Sequence, residues 1–350
     1  MARQKNRPKD RREEAKTLNL ALQGGGAHGA FTWGVLDRLL DEDGLTLEGI
    51  SGTSAGAMNA AMLAIGYERD GPAGAKAMLE EFWRAVSDAG RFSPLQRGLF
   101  DGLVGNPWNL DYSPAFQFFD ALTRAVSPYQ FNPMDFNPLR DVLERVIDEG
   151  ELRACRRIKL FVCATNVRTG KARIFADGDL SIDALLASAC LPTVYRAVEI
   201  DGEAYWDGGY MGNPALYPLI YNCRSPDIAI VQINPLTRDE IPKSAADIAN
   251  RVNEISFNST LMREVRAIAF VQKLMRRAQL PPTDYKYVNL HMIGDETGMA
   301  GLGVASKLNA DWAFLTQLRE WGRAAADGWL AANRAGIGVE TTIDLEETFL

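Results

Sequence analysis

The sequence predicts an α/β fold with a mainly parallel sheet and crossover helices, and the arrangement of two consecutive units carries that prediction. In the first, Leu18–Leu22 alternates as a short strand and runs through the glycine turn Gln23-Gly24-Gly25-Gly26-Ala27-His28-Gly29. It continues into Ala30–Leu40, where Phe31, Val35, Leu36 and Leu39 recur at helical spacing. The second unit follows directly: Leu45–Ile50 as strand, Gly52-Thr53-Ser54-Ala55-Gly56 as turn, and the small-residue run Ala55–Ile65 as helix. Further on, the apolar strands Ile228–Ile233 and Tyr287–Ile293 flank a mostly helical stretch, Ala245–Ala278.

Composition bounds the reading. At 350 residues, 47% hydrophobic and 24% charged, the chain is globular and long enough to bury a large core. A net charge of −7 argues against general nucleic-acid binding and favours solubility. Cys155, Cys163, Cys190 and Cys223 sit in apolar surroundings without a C-x-x-C pair or a neighbouring histidine. That context predicts buried free thiols in a reducing compartment and no metal site. No apolar run reaches the roughly 18 residues that span a bilayer, and no signal-type core follows the basic N-terminus. The expectation is a cytoplasmic protein, with peripheral contact at a membrane surface left open and the oligomeric state undetermined.

The remaining elements follow in order. Met1–Lys16, with seven Lys/Arg and three acids, reads as a disordered polar arm. Ala75–Val86 is helical through Leu79, Phe82, Trp83 and Val86. From Ser87 to Asn137 the texture turns to Gly, Pro and aromatics, among them Phe92, Phe100, Trp108, Tyr112, Phe118, Tyr129 and Phe136. This predicts a loop-rich insertion with one short helix, Pro114–Val126, serving equally well as a satellite core, a lid or an acyl-chain pocket. Ile158–Thr165 is a strand, Lys171–Phe175 its hairpin partner, and Ser181–Ala189 a helix stopped at Leu191-Pro192. Val194–Ile200 and Ala204–Trp206 form a hairpin about Asp201-Gly202. Ser306–Asn333 is a last amphipathic helix. No repeat or linker marks a domain boundary.

Three segments carry chemistry. The G-x-S-x-G spacing around Ser54 is that of a nucleophile elbow, a strained strand-to-helix turn in which Gly52 and Gly56 must be small. There the serine sits at a helix N-terminus that favours developing negative charge. The second segment, Gly24 to Gly29, satisfies G-x-G-x-x-G. Between strand and helix it fits a dinucleotide pyrophosphate, with Asp41, Asp43 or Glu48 on the ribose. It fits equally an oxyanion hole made by the amides of Gly24, Gly25 and Gly26. The third is Asp207-Gly208-Gly209, at the end of a strand.

A serine nucleophile needs a base, and the chain has only two histidines. His28 begins the first helix and has solvent or a bound anion to face. His291 lies in an apolar strand, where a structural role is the plainer reading. The chain order Ser54, Asp207, His291 imitates an α/β-hydrolase triad, although that fold brings its elbow later. Asp207 can instead act directly as base if it is shielded enough to lift its pKa towards neutrality, with Tyr205, Trp206 and Tyr210 as shielding groups.

Taken together, the strand with GGGAHG, the early GTSAG elbow, Ala187-Ser188-Ala189-Cys190-Leu191-Pro192 and Asp207-Gly208-Gly209 resemble patatin-like phospholipases in order and spacing from about Leu18 to Pro235. The resemblance implies a three-layer α/β/α sandwich with a mainly parallel central sheet, and the helical stretches Ala245–Ala278 and Ser306–Asn333 add a mostly helical C-terminal part. It implies a serine acyl hydrolase, of lipase or phospholipase A type, that cuts lipid ester bonds through an acyl-enzyme with no cofactor or metal. Carried across by motif, Ser54 is the nucleophile, Asp207 the base and Gly24, Gly25 and Gly26 the oxyanion loop, with Gly29, Gly52, Gly56, Gly208 and Gly209 supporting the turns. His28 stands where many members carry Arg or Lys. The implied layout is a polar arm 1–16, a catalytic domain 17–235 containing the insertion 87–137, and an extension 236–350 packed on it.

Overall fold

The structure, a computed structural model, describes residues 15–91, 108–110, 113–278 and 286–349. Of the aromatics in the predicted insertion, Phe92, Phe100 and Tyr112 lie outside the described residues, as does all of the N-terminal arm except Ala15 and Lys16.

Eight strands form one sheet: β1 (Lys16–Leu22), β2 (Leu45–Thr53), β3 (Lys159–Asn166), β4 (Ala172–Ala176), β5 (Val198–Ile200), β6 (Glu203–Asp207), β7 (Asp227–Val231) and β8 (Asn289–Ile293). β3, β2, β1, β7 and β8 lie side by side and parallel. β4 and β6 run antiparallel to β3, and β5 extends β6 as a hairpin. Asp201 (φ 53°) and Gly202 (φ 78°) form its turn, both in the left-handed region that a two-residue hairpin requires.

Both faces of the sheet are covered, which is why the strands read as apolar runs. Leu18, Leu20 and Leu22 of β1 face one core while Ala21 faces the other. In β7, Ala229 and Val231 alternate likewise with Ile228 and Ile230. On the first face lie α1 (Gly29–Leu39) and α2 (Ala55–Gly90), which is interrupted at Asp70 and Gly71 ahead of Pro72. The short helix expected at Pro114–Val126 is α3 (Pro114–Ala125); the insertion adds α4 (Pro128–Phe131), and beyond it follow α5 (Pro138–Val146) and α6 (Glu149–Ala154). Asn137 and Asp148 cap the last two with their side chains. α7 (Ile182–Ser188) completes that side of the protein.

The second face carries α8 (Tyr217–Asn222) and α9 (Ala245–Ala278), with Leu219, Leu261 and Val265 in its core. After β8 come the short α10 (Glu296–Ala300), α11 (Trp312–Asn333) and α12 (Leu345–Phe349). α11 returns to the first face and packs on α1. There the buried Asp37 carboxylate accepts from Arg319 (2.9 Å) and Arg323, and side chains at Gly34 and Gly322 would strike backbone of the opposite helix.

Two boundaries differ from expectation for local reasons. Val194–Ala197 does not form strand, because the amides of Val194 and Tyr195 turn back to the Leu191 carbonyl (3.0 and 2.9 Å). The helix expected from Ser306 is broken at Asn309–Asp311, where the Asp311 side chain caps α11 by accepting from Ala313 N (2.8 Å).

Candidate active site

The parallel strands point their C-terminal ends at one edge of the sheet, and the strand order reverses at β1, with β2 and β3 on one side and the later β7 and β8 on the other. Such a reversal opens a crevice outside the strand ends. The loops after β1, β2 and β7 meet there.

Ser54 occupies the turn between β2 and α2 with φ 54° and ψ −124°, a left-handed conformation for a residue with a side chain. Its amide donates to Ser188 Oγ at the end of α7 (2.9 Å). The turn is as crowded as the spacing predicts. A side chain at Gly52 would stand 2.6 Å from the Gly56 carbonyl oxygen, and one at Gly56 would collide with the Leu22 carbonyl. Gly29 meets Ala55 Cβ at 2.6 Å in the same sense.

Asp207 reaches this turn through sheet register. β4 covers one side of β3 from Phe161 to Thr165, so β2 and β6 share the other side. β2 pairs there up to Thr53 opposite Cys163, and β6 takes over with Asp207 opposite Ala164. The end of β6 therefore abuts the end of β2. Gly208 has no room for a side chain against the Cys163 carbonyl, and Gly209 none against the Phe257 ring. Asp207 is 1% exposed. Burial pushes its pKa up to about 6, while hydrogen bonds from Gly209 N (2.7 Å) and the Ser54 hydroxyl, together with the Lys307 charge, hold back part of the rise.

Facing Ser54 across the crevice is the glycine loop. A side chain at Gly24 would lie 2.6 Å from Ser54 Cβ. Both polar ends of Gly24 are already used: its amide donates to Asn213 Oδ1 (2.7 Å) and its carbonyl accepts from Asn234 Nδ2 (2.9 Å). The Gly24 N–H, which the sequence offered as an oxyanion donor, is thus held by Asn213 in this structure. Gly25 and Gly26 remain. Gly26 holds φ +58° with its α-carbon against the Lys307 carbonyl, so the loop needs glycine there on both counts.

Several side chains that frame this loop carry no sequence signal. Gln23 Oε1 accepts from the amides of Ile233 and Asn234 (2.9 Å each), and its Nε2 donates to Asn258 Oδ1 (3.0 Å). Lys307 Nζ donates to Asn234 Oδ1 (2.9 Å) and Asn253 Oδ1 (3.0 Å), and burial pulls its pKa down to about 8. Lys307 lies outside every motif, and only the tertiary fold brings it under the loop. His28, expected to meet solvent or an anion, is instead buried on Ser306 Oγ (Nε2, 2.7 Å). Burial, and then the Lys307 charge, hold its pKa well below the usual histidine value.

His291, Asp41 and Glu48, named in the two other sequence readings, are engaged by other partners. His291 bonds Asp227 Oδ1 (Nε2, 3.0 Å) and Thr342 Oγ1 (Nδ1, 2.9 Å) inside the β7–β8 edge, so both ring nitrogens are engaged and neither meets Asp207. As ribose partners, Asp41 is bound to Lys76 and Arg323, while Glu48 accepts from the Arg224 and Ser225 amides before β7. The glycine turn faces Ser54. All four cysteines are buried and free. Among the described residues no cluster of three or more His, Cys, Asp or Glu side chains is placed to hold a metal.

With the site in place, residues 20–220 match the family model for patatin-like phospholipase, more than half of the chain. The chain belongs to the patatin-like phospholipase family. Over 217 residues it is 25% identical to the uncharacterized protein R571 of Acanthamoeba polyphaga mimivirus, covering 59% of this chain and 61% of that relative. The chain thus spans less than two thirds of the relative's length. Among solved structures it is similar to VipD from Legionella pneumophila (16% identity, TM-score 0.36, 88% of this chain and 67% of that one). It is also similar to ExoU of the type III secretion system of Pseudomonas aeruginosa (14%, TM-score 0.30, 91% and 53%). Membership of this family supports lipid acyl hydrolysis in general terms.

Proposed function

We propose that this patatin-like protein is a serine acyl hydrolase that cleaves carboxylic ester bonds of lipids through an acyl-enzyme, with Ser54 as nucleophile and Asp207 as its base. The observation that carries the reading is the meeting of a strained serine turn with a buried carboxylate whose pKa lies near 6. At neutral pH that carboxylate is ionised and basic enough to take the hydroxyl proton.

Ser54 Oγ attacks the ester carbonyl carbon as Asp207 accepts its proton. The carbonyl π electrons move to oxygen, where the Gly25 and Gly26 amides and the N-terminus of α2 stabilise the charge. Collapse expels the alcohol with the proton returned from Asp207. Water, deprotonated by the same carboxylate, then releases the fatty acid and restores Ser54. Lys307 and Asn234 position the loop and touch no substrate atom in this scheme.

The test is labelling by a fluorophosphonate with hydrolysis of a short p-nitrophenyl ester. Ser54→Ala is expected to lose both while its circular dichroism is unchanged. Turnover at the wild-type rate in that variant would overturn the reading.

A further inference from the structure

The outer face of α9 presents a chemistry that the proposed site does not use. Its inner side packs into the core through Leu261 and Val265 and against the site through Phe257, which fills the space beside Gly209. Outward, Ile248, Val252 (59% exposed) and Ile255 follow one another at steps of four and three residues, so they form one stripe on the N-terminal half. The C-terminal half exposes Phe270 (62%), Val271 and Leu274.

Charge on this face is one-sided. Arg263, Arg266, Lys273, Arg276 and Arg277 are all exposed. Of the three acids in α9, Asp247 lies in the first turn and the other two are turned away. Glu254 is bound by Arg238 and Arg251, and Glu264 Oε2 accepts from the amides of Leu216 (2.8 Å) and Tyr217 (3.0 Å). A chain of net charge −7 thus displays a basic helix face interleaved with large apolar side chains. A purely water-facing helix carries charges of both signs and few such residues. No helix among the described residues is long and apolar enough to cross a membrane. The pattern is that of a helix lying in a lipid interface, apolar groups among the acyl chains and cations at anionic headgroups.

On the inner side of α9 the Tyr210 ring packs on Phe257 (5.5 Å), and Tyr210 directly follows Asp207-Gly208-Gly209, so the helix that carries this face also borders the site. We propose that the outer face of α9 docks the protein on an anionic bilayer surface and so brings the Ser54 site to its lipid. The proposal rests on the acyl-hydrolase reading for the identity of the substrate; the docking chemistry stands on the helix face alone.

The experiment is co-sedimentation of the full chain with vesicles of phosphatidylcholine alone or of phosphatidylcholine doped with phosphatidylserine. The variants are V252S/I255S and K273Q/R277Q, and soluble ester turnover is followed in parallel. Expected are wild-type binding to the anionic vesicles that weakens with added salt, and about a tenfold or greater loss in each double variant. Soluble turnover should be unchanged in both. The basic N-terminal arm is common to all three proteins, so it cannot produce the difference. Wild type that fails to sediment with anionic vesicles, or variants that bind as it does, overturn the proposal. So does concentration-dependent dimerisation that V252S/I255S abolishes without any vesicle binding, which assigns the face to a second copy of the chain. Inactivity of the wild type on soluble ester, with docking intact, would instead count against the hydrolase reading.

Discussion

The amide of Gly24 donates to Asn213 Oδ1 at 2.7 Å, tying the loop after β1 to the segment after Asp207 across 189 positions of sequence. This bond sets how the glycine loop faces Ser54. Asn213→Ala leaves a buried N–H without an acceptor, at a cost of about 1–3 kcal/mol. It is expected to lower the urea midpoint and to reduce kcat on a soluble ester about tenfold or more, with KM little changed. A KM increase at constant kcat would contradict a positioning role.

Asp207 trades stability for its proposed role. Its folded pKa of about 6 lies above that of an ordinary aspartate, so its contribution is favourable at low pH and is lost as pH rises towards and through 6. At neutral pH the ionised buried group costs about 2–3 kcal/mol. Asp207→Asn is therefore expected to melt higher than wild type at pH 7, while ester turnover falls about a thousandfold. Equal melting temperatures at pH 7 would show that burial does not strain this carboxylate.

The same pKa values set the pH dependence. kcat/KM is expected to fall below about pH 6 as Asp207 takes up a proton. Lys307 opposes that protonation with its charge, and its own pKa is about 8. Lys307→Met should move the acid limb to higher pH, because the carboxylate loses a stabilising cation. A pH–rate profile on a soluble ester reads both shifts, and an unmoved acid limb would remove Lys307 from the electrostatics of the site.

His291→Ala separates chemistry from stability. Removing the ring breaks a buried pair with Asp227, with an expected loss of about 3 kcal/mol or more in chemical denaturation. Turnover of the folded variant is expected within a factor of about two of wild type, because His291 does not meet Ser54 or Asp207. A hundredfold loss in kcat with the fold intact would restore the triad.

Much of the scaffold was legible because its rules are local. Glycines at fixed offsets from Ser54 follow from crowding between neighbours in sequence, and strand–turn–helix units follow from apolar periodicity. Asp207-Gly208-Gly209 could be singled out as a motif, yet by itself it reads as a plain turn. The side chains that hold the loop were not legible. Gln23, Asn213, Asn234 and Lys307 act through partners far off in the chain, and an asparagine or lysine in isolation reads as a side chain turned to water. His28 was misplaced for the same reason: the Ser306 hydroxyl that buries it lies 278 positions away.

By itself the sequence determined the α/β class, the elbow at Ser54 and a glycine loop able to serve either a nucleotide or an oxyanion. Tertiary structure decided which residues meet, because only sheet register brings the end of β6 beside the end of β2 and so sets Asp207 against Ser54. It also tied the Gly24 N–H to Asn213, held His291 on Asp227 and Thr342, and placed a lysine beneath the loop. Hydrogen bonds and burial are satisfied in three dimensions, and a one-dimensional pattern records only those whose partners are near neighbours in the chain.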